Sequence, residues 1–123
     1  IPHPIMHELS IVFEVIDQVE KIAKENHVES VTHLTLELGE VSSVIPSYFT
    51  DCFNWAIKKS EVMKECKLDI VVLQAESYCK DCKKTFSTMK YGRSCPYCKK
   101  DNTTLLSGDE INIRDISVKE KQG

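Results

Sequence analysis

Two short cysteine pairs constrain this chain more than anything else in it. Cys79-Lys80-Asp81-Cys82 and Cys95-Pro96-Tyr97-Cys98 are C-x-x-C units separated by twelve residues. A thiolate at each end of a tight turn offers two sulfurs to one edge of a metal ion, and two such turns complete a tetrahedron. The interval is slightly shorter than the roughly 15–20 residues of the common zinc pattern. Zinc suits four thiolates because it is borderline-soft and imposes no geometry of its own. The segment holding the pairs has few apolar residues, so the metal is expected to supply its folding energy. Iron in a rubredoxin-like site uses the same ligands, and the spacing leaves it open. Disulfides need an oxidising compartment, and no stretch reads as an export signal. A thioredoxin-like redox motif needs one C-x-x-C at a strand–helix junction, not two in an insert without helical period. The two remaining cysteines, Cys52 and Cys66, have no partner at ligand spacing and read as structural.

The rest of the chain is patterned for a small mixed core. Leu9, Val12, Ile16, Val19 and Ala23 recur at helical spacing, and Asn26-His27 marks the stop. Leu34, Leu36 and Leu38 alternate with His33, Thr35 and Glu37, which predicts a strand with one buried face, ended by Gly39. Pro46 opens a second helix whose apolar face is Phe49, Cys52, Phe53, Ala56 and Ile57. Leu68, Ile70 and Val72 give a second strand. Ile111 and Ile113 begin a third, with Ile116 and Val118 in the opposite phase, as either a bulge near Arg114-Asp115 or a strand buried on both faces at its end would produce. The expected fold is α+β: a three-stranded mixed sheet covered by two helices, with an inserted zinc ribbon. The first two strands are joined through a helix and should run parallel in a right-handed crossover. The domains expected are residues 6–76 with 108–118 for the α/β body and 77–107 for the ribbon. The ribbon's ends should lie close together. Residues 1–5, with Pro2 and Pro4, read as an irregular, non-native extension, and 119–123 as a frayed tail.

Charge divides along the same line. Residues 78–104 carry a net +5 and the remainder −8, although the whole chain is only −3. The lysines can offset the negative charge of four thiolates around one divalent cation. A basic ribbon also fits a nucleic-acid-binding module, with Tyr91 beside Gly92-Arg93, but the acidic remainder would repel phosphate. A protein-interaction adaptor with structural zinc is a further alternative. A complete four-cysteine site leaves no position for a reacting water. No phosphate-binding glycine loop or nucleophile elbow is present. The chain therefore reads as a non-enzyme, and no apolar run reaches the length of about 20 residues that a bilayer requires.

Taken together, several segments resemble the HypA/HybF family of hydrogenase nickel-incorporation proteins. They are Met6-His7-Glu8-Leu9-Ser10 at a helix start, Leu38-Gly39-Glu40-Val41, Pro46 before Phe49, the four-cysteine insert, and Gly108 with Glu110-Ile111. The resemblance runs from residue 6 to about 118. It implies a cytoplasmic metallochaperone with structural Zn²⁺ on Cys79, Cys82, Cys95 and Cys98. It implies transported Ni²⁺ at the chain start, with His7 and Glu8 as site residues and a backbone nitrogen of Met6 contributing. It further implies delivery to the hydrogenase large-subunit precursor with a HypB-family GTPase as partner, urease service in some members, and no nucleic acid or membrane. Amine, imidazole and backbone-nitrogen ligands suit tetragonal Ni²⁺. Two histidines, His27 and His33, read as surface residues. His3 cannot form an amino-terminal X-X-His clip, because Pro2 has no amide hydrogen to lose.

Overall fold

The architecture was obtained from a computed structural model that describes residues 3–121, with side chains from His7 onward. Helix α1 spans His3–Glu25. It therefore starts inside the stretch expected to be irregular. Proline is compatible with a first helical turn, where its missing N–H would have no intrahelical partner, so Pro4 does not stop it. At the other end Asn26 Nδ2 donates to Ile22 O at 2.8 Å, and His27 turns into the left-handed region at φ 54°. Strand β1 follows at Val28–Gly39, then α2 at Pro46–Ala56, a 3₁₀ turn at Ile57–Lys59 and strand β2 at Lys67–Leu73.

The segment expected to lack regular structure contains four short elements: β3 (Glu76–Cys79), β4 (Lys84–Ser87), helix α3 (Thr88–Tyr91) and β5 (Thr103–Ser107). Strand β6, Ile111–Glu120, closes the fold, and Lys119 pairs with Glu29 at 3.5 Å. Order thus reaches into the stretch expected to fray. Within β6, Arg114 and Asp115 are both exposed and partial burial resumes at Ile116, but Val118, expected on the same face as Ile116, is exposed.

The strands form two sheets, ordered β2-β1-β6 and β4-β3-β5. In the first, Val31 N–H donates to Val62 O and Glu40 N–H to Leu73 O, so β1 and β2 advance in the same sense. Thr32 Oγ1 donates to Ser117 O and Gly39 N–H to Glu110 O, so β6 runs against β1. The sheet is mixed. In the second sheet β3 pairs antiparallel with both neighbours, Tyr78 lying opposite Thr85 on one side and Thr104 on the other.

The chain divides into two compact units. One comprises residues up to 36, 44–70 and from 113 onward; the other comprises 37–43 and 71–112. In the first, α1 packs on α2, and the buried set includes Val12, Ile16, Val19 and Ala23 with Phe49, Phe53 and Ala56, as the helical spacings require. Leu34 and Leu36 of β1 are completely buried there.

The second unit is tied at a crossing of three backbones. Val41 N–H donates to Gly108 O, and the Glu40 carboxylate accepts from Ala75 N–H. A Cβ on Gly39 would run into the Gly108 carbonyl, and one on Gly108, at φ 108°, into Ala75. The ends of the ribbon segment therefore meet, and only glycine permits the approach.

Two substitutions test these assignments by thermal melting. Leu34→Ala should cost about 3 kcal/mol, as for a fully buried leucine. Gly108→Ala should cost roughly 1–3 kcal/mol, because it combines a positive φ with a backbone collision, and should weaken protection of β3 and β5 first.

Candidate metal centres

Local turns bring the four thiols together. In the first C-x-x-C, Lys83 N–H donates to Cys79 O at 2.8 Å; in the second, Lys99 N–H donates to Cys95 O at 2.9 Å. The residue after each pair has positive φ, 59° at Lys83 and 65° at Lys99. The two turns are thus the same structure built twice. Backbone amides point at the sulfurs: Cys82 N–H lies 3.4 Å from Cys79 Sγ, and Tyr97 N–H 3.4 Å from Cys95 Sγ. The β3–β4 hairpin carries the first turn at its tip. Cys95 N–H donates to Lys100 O, which folds the second turn back on itself.

All four sulfurs lie within 4.8 Å of one another. Cys79 and Cys98 are 3.7 Å apart, and Cys82 and Cys95 3.9 Å. A zinc tetrathiolate with bonds of about 2.3 Å has sulfur–sulfur edges of about 3.8 Å. The donor set and its dimensions fit zinc. Cys79 and Cys95 are buried with Phe86, and Cys82 and Cys98 pack against that cluster. Phe86 meets Tyr91 edge-on at 6.2 Å, and Lys84 Nζ sits 4.6 Å from the Tyr97 ring centroid, joining the two turns.

Without metal the thiols differ among themselves. Burial alone would raise Cys95, but the amides of Cys98 and Tyr97 outweigh it and bring that thiol down to about 7. Hydrogen bonding to Cys98, with burial, pushes Cys82 up to about 12.

The other two cysteines stand apart from this cluster. Burial pushes the Cys66 thiol up to about 11, and its Sγ lies 3.6 Å from Lys67 O. Cys52 is raised by burial and then by the negative charges of Glu8 and Asp51. Both are buried and unreactive in type, as the spacing predicts.

At the chain start, the structure separates the two residues named for nickel. His7 is exposed. Glu8 is 1% exposed, and its Oε2 accepts from Ile45 N–H at 2.9 Å. Adjacent helical residues point in different directions, so the imidazole faces solvent while the carboxylate faces the interior. The periodicity contained this signal. Stepping back four residues from Val12 along the buried stripe reaches Glu8, a charged residue in a core position. Among the described residues only the four cysteines form a cluster of three or more metal-type ligands.

The class defined by this geometry is a two-part α+β protein carrying a closed four-thiolate metal centre in a small antiparallel sheet. The family described as Hydrogenase/urease nickel incorporation, metallochaperone, hypA matches residues 6–118, and the chain belongs to it. Hydrogenase maturation factor HypA of Actinobacillus succinogenes is 35% identical over 114 residues, covering 93% of this chain and 100% of that protein. The factor of the same name from Prosthecochloris aestuarii is 32% identical with the same coverage. The solution structure of the Ni metallochaperone HypA from Helicobacter pylori superposes with a TM-score of 0.71 at 28% identity, covering 93% of this chain and 98% of that one. The function class is therefore nickel incorporation in hydrogenase maturation, with nickel as cargo and the four cysteines suited to structural zinc. No helix among the described residues is long and apolar enough to cross a membrane.

Cys95→Ser should reduce zinc content below one ion per chain and remove amide protection from β3–β5. The far-ultraviolet helical signal of α1 and α2 should persist. Alkylation before and after chelation checks the division of cysteines: the chelator should expose four thiols, while Cys52 and Cys66 stay unmodified until the chain unfolds.

Proposed function

We propose that this protein carries one Ni²⁺ at its chain start and delivers it to the hydrogenase large-subunit precursor, with a HypB-family GTPase as partner. Urease maturation is a second destination within the same reading. The protein works in the cytoplasm and performs no catalytic step. The observation that carries the proposal is the family match beginning at Met6, immediately before an exposed histidine on the first turns of α1.

The chemistry supports it. An exposed imidazole beside backbone nitrogens is a tetragonal nitrogen donor set, which Ni²⁺ prefers. A site with few side-chain ligands at a helix end can release its ion, whereas four thiolates enclosing zinc cannot exchange it readily. The negatively charged remainder of the chain attracts a divalent cation.

Helix α1 adds a condition. The first four N–H groups of a helix have no intrahelical partner. With the helix starting at His3, the His7 and Glu8 amides lie beyond that set and donate into the first turn. In a chain starting at Met6, the Met6 nitrogen is a free amine and the His7 and Glu8 amides fall within the first four helical positions, where a metal can engage them.

Nickel titration tests the reading. About one Ni²⁺ per chain should bind beyond zinc, as one tetragonal nitrogen site requires. His7→Ala should abolish that binding and leave zinc content unchanged, and a chain beginning at Met6 should bind nickel more tightly than one beginning at Ile1. Full nickel affinity in His7→Ala places the site elsewhere.

A further inference from the structure

We infer that the Glu8 carboxylate is not a nickel ligand but a positioning group, which holds the first turns of α1 against the start of α2 and thereby sets the orientation of His7. The inference rests on the nickel-carrier reading and assigns a role within its site.

Helix α2 starts without a cap of its own. Its N-cap residue, Ile45, is extended at φ −89° and ψ 115° and supplies no side-chain hydrogen bond. Pro46 has no N–H to present. The group that meets this helix end comes from 37 residues earlier in the chain: Glu8 Oε2 accepts from Ile45 N–H at 2.9 Å. A carboxylate at a helix N-terminus is favoured by the aligned peptide dipoles. Glu8 therefore caps α2 from α1.

Burial makes this role incompatible with ligation in the same conformation. Glu8 is 1% exposed, and its second oxygen, Oε1, is buried with no hydrogen-bond partner. The Cys52 thiol is near enough to feel the carboxylate's charge. To reach an ion beside the exposed His7 imidazole, the carboxylate would have to leave the interior and abandon Ile45 N–H. A buried acceptor with one oxygen unpaired is uncommon in native proteins and calls for an explanation. Here the explanation is position. The contact fixes the first turns of α1 in azimuth, so the residue before Glu8 points outward. Supporting groups behind metal ligands commonly act in this way.

The experiment works from both sides of the contact, in the full chain. Ile45→Pro removes the donor N–H without touching α1, and Glu8→Gln keeps an accepting oxygen while removing the charge. Nickel affinity is measured by chelator competition, the ligand field by the d–d absorption band, and the contact by hydrogen exchange of the Ile45 amide. Ile45→Pro is expected to weaken nickel binding about tenfold, the lower end for loss of a supporting partner. It should also shift the band, with zinc content and helical signal retained. Glu8→Gln should keep the Ile45 amide protected, the band in place and the affinity within about threefold of the parent, as rescue by a shape-conserving acceptor requires. Loss of nickel in Glu8→Gln with that amide still protected makes the carboxylate a ligand and overturns the inference. So does an Ile45→Pro chain with unchanged affinity and band, since a liberated ligand would cost nothing. If the unsubstituted chain takes up no nickel while its Ile45 amide is protected, the carrier reading itself fails and takes the positioning role with it.

Discussion

Four sulfurs held within 4.8 Å of each other are the constraint on which the second unit depends. As thiolates they repel, and as thiols they leave the cluster of Cys79, Phe86 and Cys95 with little apolar area to hold three short strands. A divalent cation resolves both problems. It turns mutual repulsion into a common attraction, and it replaces the core that the segment lacks. The aromatic and cationic contacts Phe86 on Tyr91 and Lys84 on Tyr97 pack beside the four sulfurs.

How much of this was legible in the sequence depends on the range of the interactions. Helical spacing located α1 and α2, and alternation located β1, because one buried face per element leaves a local record. The cysteine pairs announced the metal site for the same reason, since each turn needs only four residues. Strands β3, β4 and β5 left little such record. They are four or five residues long, too short for alternation to register, and β3 pairs with β5 across more than twenty residues of sequence. The positive φ at Lys83 and Lys99 was equally hidden, because no glycine marks either position. The burial of Glu8 is a different case. The resemblance names it beside His7 for the nickel site, and the helix turns its side chain to the interior.

Under the proposed function, the two metals are handled by opposite means. At the ribbon, donors are numerous, closed around one point and fixed by backbone hydrogen bonds, which suits permanent retention. The donors proposed for nickel are few, with His7 exposed on α1 and the Glu8–Ile45 contact between two helices beside it. A carrier needs that difference in lability within one chain, so that its cargo can leave while its scaffold stays intact.

The meeting of Ala75 and Gly108 has a consequence for how such a protein can change over time. Because the polypeptide leaves and re-enters the ribbon at one spot, everything between those residues is topologically a cassette. The distance between its two ends therefore sets no lower limit on how long that segment must be. Gly39 and Gly108 would be the last positions free to vary, because they form the hinge plate onto which any replacement must be fastened.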